Sequence, residues 1–192
     1  ERINAQIAQD YFYFSFLTQE HPVPERLIAG DRAGFLRLIL LGLSDKVVQY
    51  ADLAFQAYLS ANQTPEAISA MCECFRAGFH IDRQHDQSDR DRGNKIQCPT
   101  LVMWGERGVV GRHFDVEGIW RGWCDDPTFA PMPSGHFIPE EAPYDALKAL
   151  NGFFNAASLA RLFGLQTCAP LTLRCADREV RRIAVLTGRA AA

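Results

Sequence analysis

His136 is the residue of this chain best placed to move a proton. It follows an apolar, β-prone run, Thr128-Phe129-Ala130-Pro131-Met132, in the turn Pro133-Ser134-Gly135-His136-Phe137. Gly135 permits a tight turn, and a histidine just beyond the carboxyl end of a strand sits where open α/β sheets place their chemistry. With an ordinary pKa near neutrality, its imidazole suits general-base work on water. A second grouping, Cys72 and Cys74 followed by His80 and His85, lacks the paired ligand sets of a zinc site, so no metal is expected there.

The elements that must position His136 are legible around it. Cys98-Pro99-Thr100-Leu101-Val102-Met103-Trp104 is a continuous apolar run closed by Gly105, the pattern of a strand buried on both faces of a parallel sheet. Helices are expected from Arg112 or Phe114 to Cys124 and from Glu140 to Leu162. Upstream, Ile3 to Leu17, Pro24 to Ala29, Ala33 to Leu43, Lys46 to Ser60 and Pro65 to Ala77 read as helices separated by Gly, Asp, Ser and Asn signals. Thr64 before Pro65 is a good N-cap with a first-turn proline. The charged run from Asp82 to Lys95 reads as a solvated face that returns the chain to the sheet.

The segment CPTLVMWGERGVVGRHFDVEGIWRGWCDDPTFAPMPSGHFIPEEAP resembles the end of the haloacetate dehalogenase group of α/β-hydrolases. PERLIAGD and MCECFRAGFHID resemble that group's helical cap. The resemblance runs from about Tyr11 to Phe154. It implies an α/β protein with an incomplete α/β-hydrolase fold: a helical cap and return segment over residues 1–95, the last two strands of the parallel sheet and their helices over 96–155, and an atypical tail over 156–192. The tail carries β-prone Leu171-Thr172-Leu173 and five arginines after Leu173. An extra element, a disordered end and a shifted reading frame all remain open for it.

In the haloacetate dehalogenase group an aspartate attacks the carbon bearing the halogen, and histidine then activates water to hydrolyse the resulting ester. The resemblance assigns His136 as that base. It places the nucleophile on an elbow that nothing in this chain matches, so it is expected before Glu1, together with the acid that orients the histidine. Glu106, in the turn after the first strand, is a substitute for that acid or a plain surface turn residue. Tyr13, Phe14 and Phe75 fall where the group presents substrate-binding cap residues. Phe14 and Phe75 stand where the group has hydrogen-bond donors, which argues against fluoroacetate cleavage. Their bland alternative is core aromatics under the cap.

Three functions follow: a hydrolase of carbon–halogen bonds, an epoxide hydrolase or esterase of the same fold, and a non-catalytic remnant. A small-molecule substrate is expected, with no cofactor, and either a homodimer or a separate amino-terminal half as partner. Among the 192 residues 47% are hydrophobic and 22% charged, and the formal net charge is −3. Its 20 Lys and Arg are outnumbered by 23 acids and form no basic stripe, which argues against nucleic acid. No apolar run approaches a membrane span, and six cysteines without a disulfide framework point to the reducing cytoplasm.

Overall fold

The computed structural model describes residues 5–45, 52–162 and 183–185. The chain divides into two compact units, one up to Ser88 and one from Asp89 onward. Each is described by itself.

The first unit is helical. Its described elements are α1 (Ala5–Asp10), α2 (Phe12–Leu17), α3 (Val23–Gly30), α4 (Arg32–Leu43), α5 (Asp52–Ala61), α6 (Pro65–Phe79) and most of α7 (Ile81–Arg92). The single helix expected over Ile3–Leu17 is broken at Tyr11, whose backbone leaves the helical region at φ −107°, ψ 27°. The break turns Tyr11 and Tyr13 into the core together, where a continuous helix would separate them by 200°. The caps follow the expected chemistry: Thr64 Oγ1 accepts from Ala67 N at 3.2 Å, and Asp31 Oδ1 from Gly34 N at 2.8 Å. Residues 46–51 of the helix expected over Lys46–Ser60 lie outside the described residues. The charged run after Asp82 is itself a helix, α7, with no buried residue, so its charges are indeed solvated while its backbone is regular.

An interhelical ion pair holds α3 to α6. Arg76 Nη1 lies 2.8 Å from Glu25 Oε1 and 2.6 Å from Glu73 Oε1, and Arg76 Nε donates to the Gln19 carbonyl at 2.8 Å. Ile68 and Cys72 of α6 are fully buried beside this pair's helix.

The second unit is a parallel sheet with helices. Its elements are β1 (Thr100–Gly105), α8 (Val109–His113), α9 (Val116–Trp123), β2 (Pro127–Met132), α10 (Ile138–Glu141), α11 (Pro143–Leu162) and β3 (Ile183–Val185). Every residue of β1 is buried, as its unbroken apolar run requires. β2 pairs with it in parallel, Thr100 opposite Pro127 and Gly105 opposite Met132.

The two expected strands are present, and a third, short one joins them. β3 pairs in parallel with the other edge of β1, Leu101 opposite Ile183 and Met103 opposite Val185, giving the order β2-β1-β3. The tail therefore supplies a sheet element, though not at Leu171–Leu173, which lies outside the described residues. Three residues among arginines and alanines give too short a periodic signal to be read as a strand.

Of the two starts expected for the helix ending near Cys124, Phe114 is the nearer: Phe114 and Asp115 separate α8 from α9, and Asp115 Oδ1 caps α9 by accepting from Gly118 N at 3.0 Å. Likewise Ala142 separates α10 from α11. Leu101, Met103, Met132, Ile138, Ala146 and Phe153 form the buried core between sheet and α11. On the remaining positions Trp104 meets Phe129 edge to face at 6.3 Å, and the Arg121 guanidinium lies over Phe129 at 4.7 Å.

Candidate active site

His136 sits in the short turn that joins β2 to α10. The turn is fastened to the one after β1. Glu106 N donates to the Met132 carbonyl at 3.0 Å, Arg107 N to the Ser134 carbonyl at 3.0 Å, and the Arg107 guanidinium to the Pro133 carbonyl. Ser134 is fully buried, and its amide donates back to Met132 O at 2.8 Å. Thus the two carboxyl ends of the parallel strands carry one hydrogen-bonded platform, and His136 is its only titratable side chain held within the β2 turn.

The imidazole is half-buried and packs edge to face on Phe137, with ring centroids 4.9 Å apart. Burial pushes its pKa below the ordinary histidine value, against the upward pull of the Glu141 and Glu140 carboxylates. The neutral form, the one able to accept a proton, therefore dominates at neutral pH.

Glu141 was not singled out by sequence reasoning, yet its carboxylate is bonded to both sides of the histidine. Oε2 accepts from Gly135 N at 2.8 Å and Oε1 from Phe137 N at 3.1 Å. A signal was present in the string His136-Phe137-Ile138-Pro139-Glu140-Glu141: acids in the first turn of a helix with proline near its start can reach back to amides that precede it. Glu106, the substitute considered for the orienting acid, is exposed in its turn.

The three aromatic candidates lie in the helical unit, and they come together. Phe75 of α6 is T-shaped to Tyr13 at 6.1 Å and to Phe14 at 5.5 Å, and Tyr11 packs on Tyr13 at 5.8 Å. Tyr13 is buried and its hydroxyl has no hydrogen-bond partner among the described residues. Burial, reinforced by neighbouring Tyr11, raises its pKa far above that of an ordinary phenol, so it remains a donor at any working pH. Burial likewise raises Tyr11 to about 12.

Cys72 is buried and Cys74 exposed, so the two point to different surroundings on α6. Among the described residues no three His, Cys, Asp or Glu side chains are grouped to hold a metal ion. Nor, among them, is any helix long and apolar enough to cross a membrane.

No family model matches the chain. A fluoroacetate dehalogenase from Burkholderia sp is 30% identical over 158 residues, covering 82% of this chain and 51% of that protein. A solved structure from Nostoc sp PCC 7120, provisionally described as an α/β hydrolase, is 36% identical with a TM-score of 0.74, covering 79% of this chain and 52% of the other. Another from Pseudomonas aeruginosa, provisionally described as an epoxide hydrolase, is 33% identical with a TM-score of 0.74, covering 82% and 53%. The chain spans about half the length of each of these proteins. The parallel strands, the histidine-bearing turn and these likenesses agree: the chain carries part of an α/β-hydrolase fold and is a homologue of fluoroacetate dehalogenase.

Proposed function

We propose that this chain provides the general base and the helical cap of a hydrolase that cleaves carbon–halogen bonds in small haloacids. The observation that supports it is the neutral, half-buried His136 held at the carboxyl end of a parallel strand, in a chain similar to fluoroacetate dehalogenase. In this reading an aspartate carboxylate oxygen, from residues that precede this stretch or from a partner chain, forms a bond to the carbon bearing the halogen. Halide leaves with the bonding electron pair, and an ester remains on the aspartate. His136 then takes a proton from water, whose oxygen attacks the ester carbonyl, releasing the hydroxy acid and regenerating the carboxylate. Within the helical unit, Tyr13, Phe14 and Phe75 cluster at the positions where the resemblance puts substrate-binding cap residues. The same imidazole serves as base in either chemistry, so the assignment of His136 does not depend on the leaving group.

A second reading, epoxide hydrolysis, is favoured by the buried Tyr13 hydroxyl without a partner, because a phenol of this kind can protonate or polarise an epoxide oxygen. The two are separated by assaying the chain, joined to the residues its gene encodes upstream, with chloroacetate, fluoroacetate and a small epoxide. Halide release supports the first reading; epoxide opening without halide supports the second and sinks the first.

A further inference from the structure

We propose that Glu141 is the positioning residue of His136, its two carboxylate oxygens holding the backbone amides on either side of the histidine so that the imidazole is presented in one orientation. The inference rests on the reading of His136 as the base and adds to it a residue that touches no substrate.

The geometry carries it. Gly135 N donates to Oε2 at 2.8 Å and Phe137 N to Oε1 at 3.1 Å. One side chain thus bridges the amides of the residues before and after His136, from the last residue of α10. Both bonds are charge-assisted, which makes them about twice as strong as neutral ones. Elsewhere the turn is restrained by Glu106 and Arg107 at Met132, Pro133 and Ser134, by the Ser134 hydroxyl, which donates to the Gly135 carbonyl at 3.3 Å, and by the Glu140 and Glu141 amides, which donate to the Phe137 carbonyl. The amides of Gly135 and Phe137 are both held by the Glu141 carboxylate. Glycine lacks the Cβ that restricts backbone rotation, so Gly135 is fixed by its neighbours and its hydrogen bonds and not by its own side chain. Something must fix it if the imidazole is to meet a water molecule in a productive line.

Glu141 also acts on the imidazole through its charge. It and Glu140 are the two carboxylates whose field favours the protonated ring, against the effect of burial. The two amide bonds go to the Glu141 carboxylate, so Glu140 serves as the control: both acids act on the charge of His136.

The test is nuclear magnetic resonance on the chain itself, with the His136 ring signals assigned by their loss in His136→Asn. Amide exchange at Gly135 and Phe137 and the His136 titration are compared in the parent, Glu141→Gln, Glu141→Asp and Glu140→Gln. Glutamine offers one carbonyl oxygen in place of two, so Glu141→Gln is expected to speed exchange at one or both amides by roughly ten- to a hundredfold and to shift the His136 titration to lower pH. Glu140→Gln is expected to move the titration in the same direction while exchange at both amides stays as in the parent. Glu141→Asp retains the charge and keeps the fold if Glu141→Gln loses it, and its shorter reach is expected to release at least one amide. Unchanged exchange at both amides in Glu141→Gln and Glu141→Asp overturns the proposal. In the longer, turnover-competent form, Glu141→Gln should lower kcat with KM little changed. If His136→Ala there keeps full activity, the reading of His136 as base has failed and the catalytic meaning of Glu141 fails with it. If His136→Ala is inactive and Glu141→Gln fully active, the positioning proposal alone has failed.

Discussion

Gly105, the last residue of β1, lies directly under the carbonyl of Gly135: a Cβ on Gly105 would overlap Gly135 O and crowd the Ser134 carbonyl. The partner is backbone and cannot rotate away. The strand end and the histidine turn therefore fit only because a hydrogen stands where every other residue has a side chain. Gly105→Ala is expected to destabilise the second unit by about 2 kcal/mol and to shift the His136 ring resonances. Urea denaturation and the ring spectrum together check this.

The Tyr13 hydroxyl is buried without a partner, a situation that costs free energy in the folded state. Tyr13→Phe is accordingly expected to stabilise the chain by about 1 kcal/mol, while the longer form loses substrate binding. Phe75→Ala, which removes the ring that meets both Tyr13 and Phe14, is expected to cost about 3 kcal/mol. Thermal and denaturant unfolding of the three proteins distinguish a polar contact kept for a ligand from a ring kept for packing.

Glu25 gives the helical unit an acid limit. Burial pushes its carboxyl upward, but hydrogen bonds from Arg76, its own backbone and His21 outweigh this and hold the pKa below the ordinary carboxylate value. A folded-state pKa lower than the unfolded one means that the unfolded chain binds the extra proton. The contribution is therefore complete above the unfolded value of about 4.3 and disappears as pH falls through the folded one. Glu25→Gln is expected to lose about 2 kcal/mol at pH 7 and to flatten the acid side of the stability curve. Denaturation midpoints from pH 7 down to about pH 3 read this directly.

His136 obeys the same sign. Its folded pKa is depressed by burial, so stability attributable to its neutral form is present above the unfolded value of about 6.5 and lost as pH falls. In the turnover-competent form the hydrolytic step should rise with pH through the depressed value and be flat at neutrality. A rate limb centred above pH 7 would point to a different base.

Much of the second unit was legible because burial on both faces leaves an unmistakable run, as in Leu101-Val102-Met103-Trp104, and because Gly135-His136 follows a second apolar, β-prone run. What was not legible has specific causes. The helix break at Tyr11 depends on two tyrosines being buried together, which no local propensity encodes. β3 is three residues long and owes its strand conformation to the free edge of β1. The bonds of the Glu141 side chain to the amides of residues four and six positions earlier reach back across a turn, so a hydrophobic period does not point to them. Tyr13, Phe14 and Phe75 were placed by resemblance and are neighbours in the structure; their chemical role rests on the assays proposed above.

The most direct test of the central claim is the intact mass of the longer form, carrying His136→Ala, after incubation with chloroacetate. If His136 is the base that activates water, chloride release should stop near one equivalent and the protein should retain the mass of the carboxymethyl group esterified to the aspartate. Continued chloride release at the parent rate with no adduct would contradict the account, since the ester would then be hydrolysed without this imidazole.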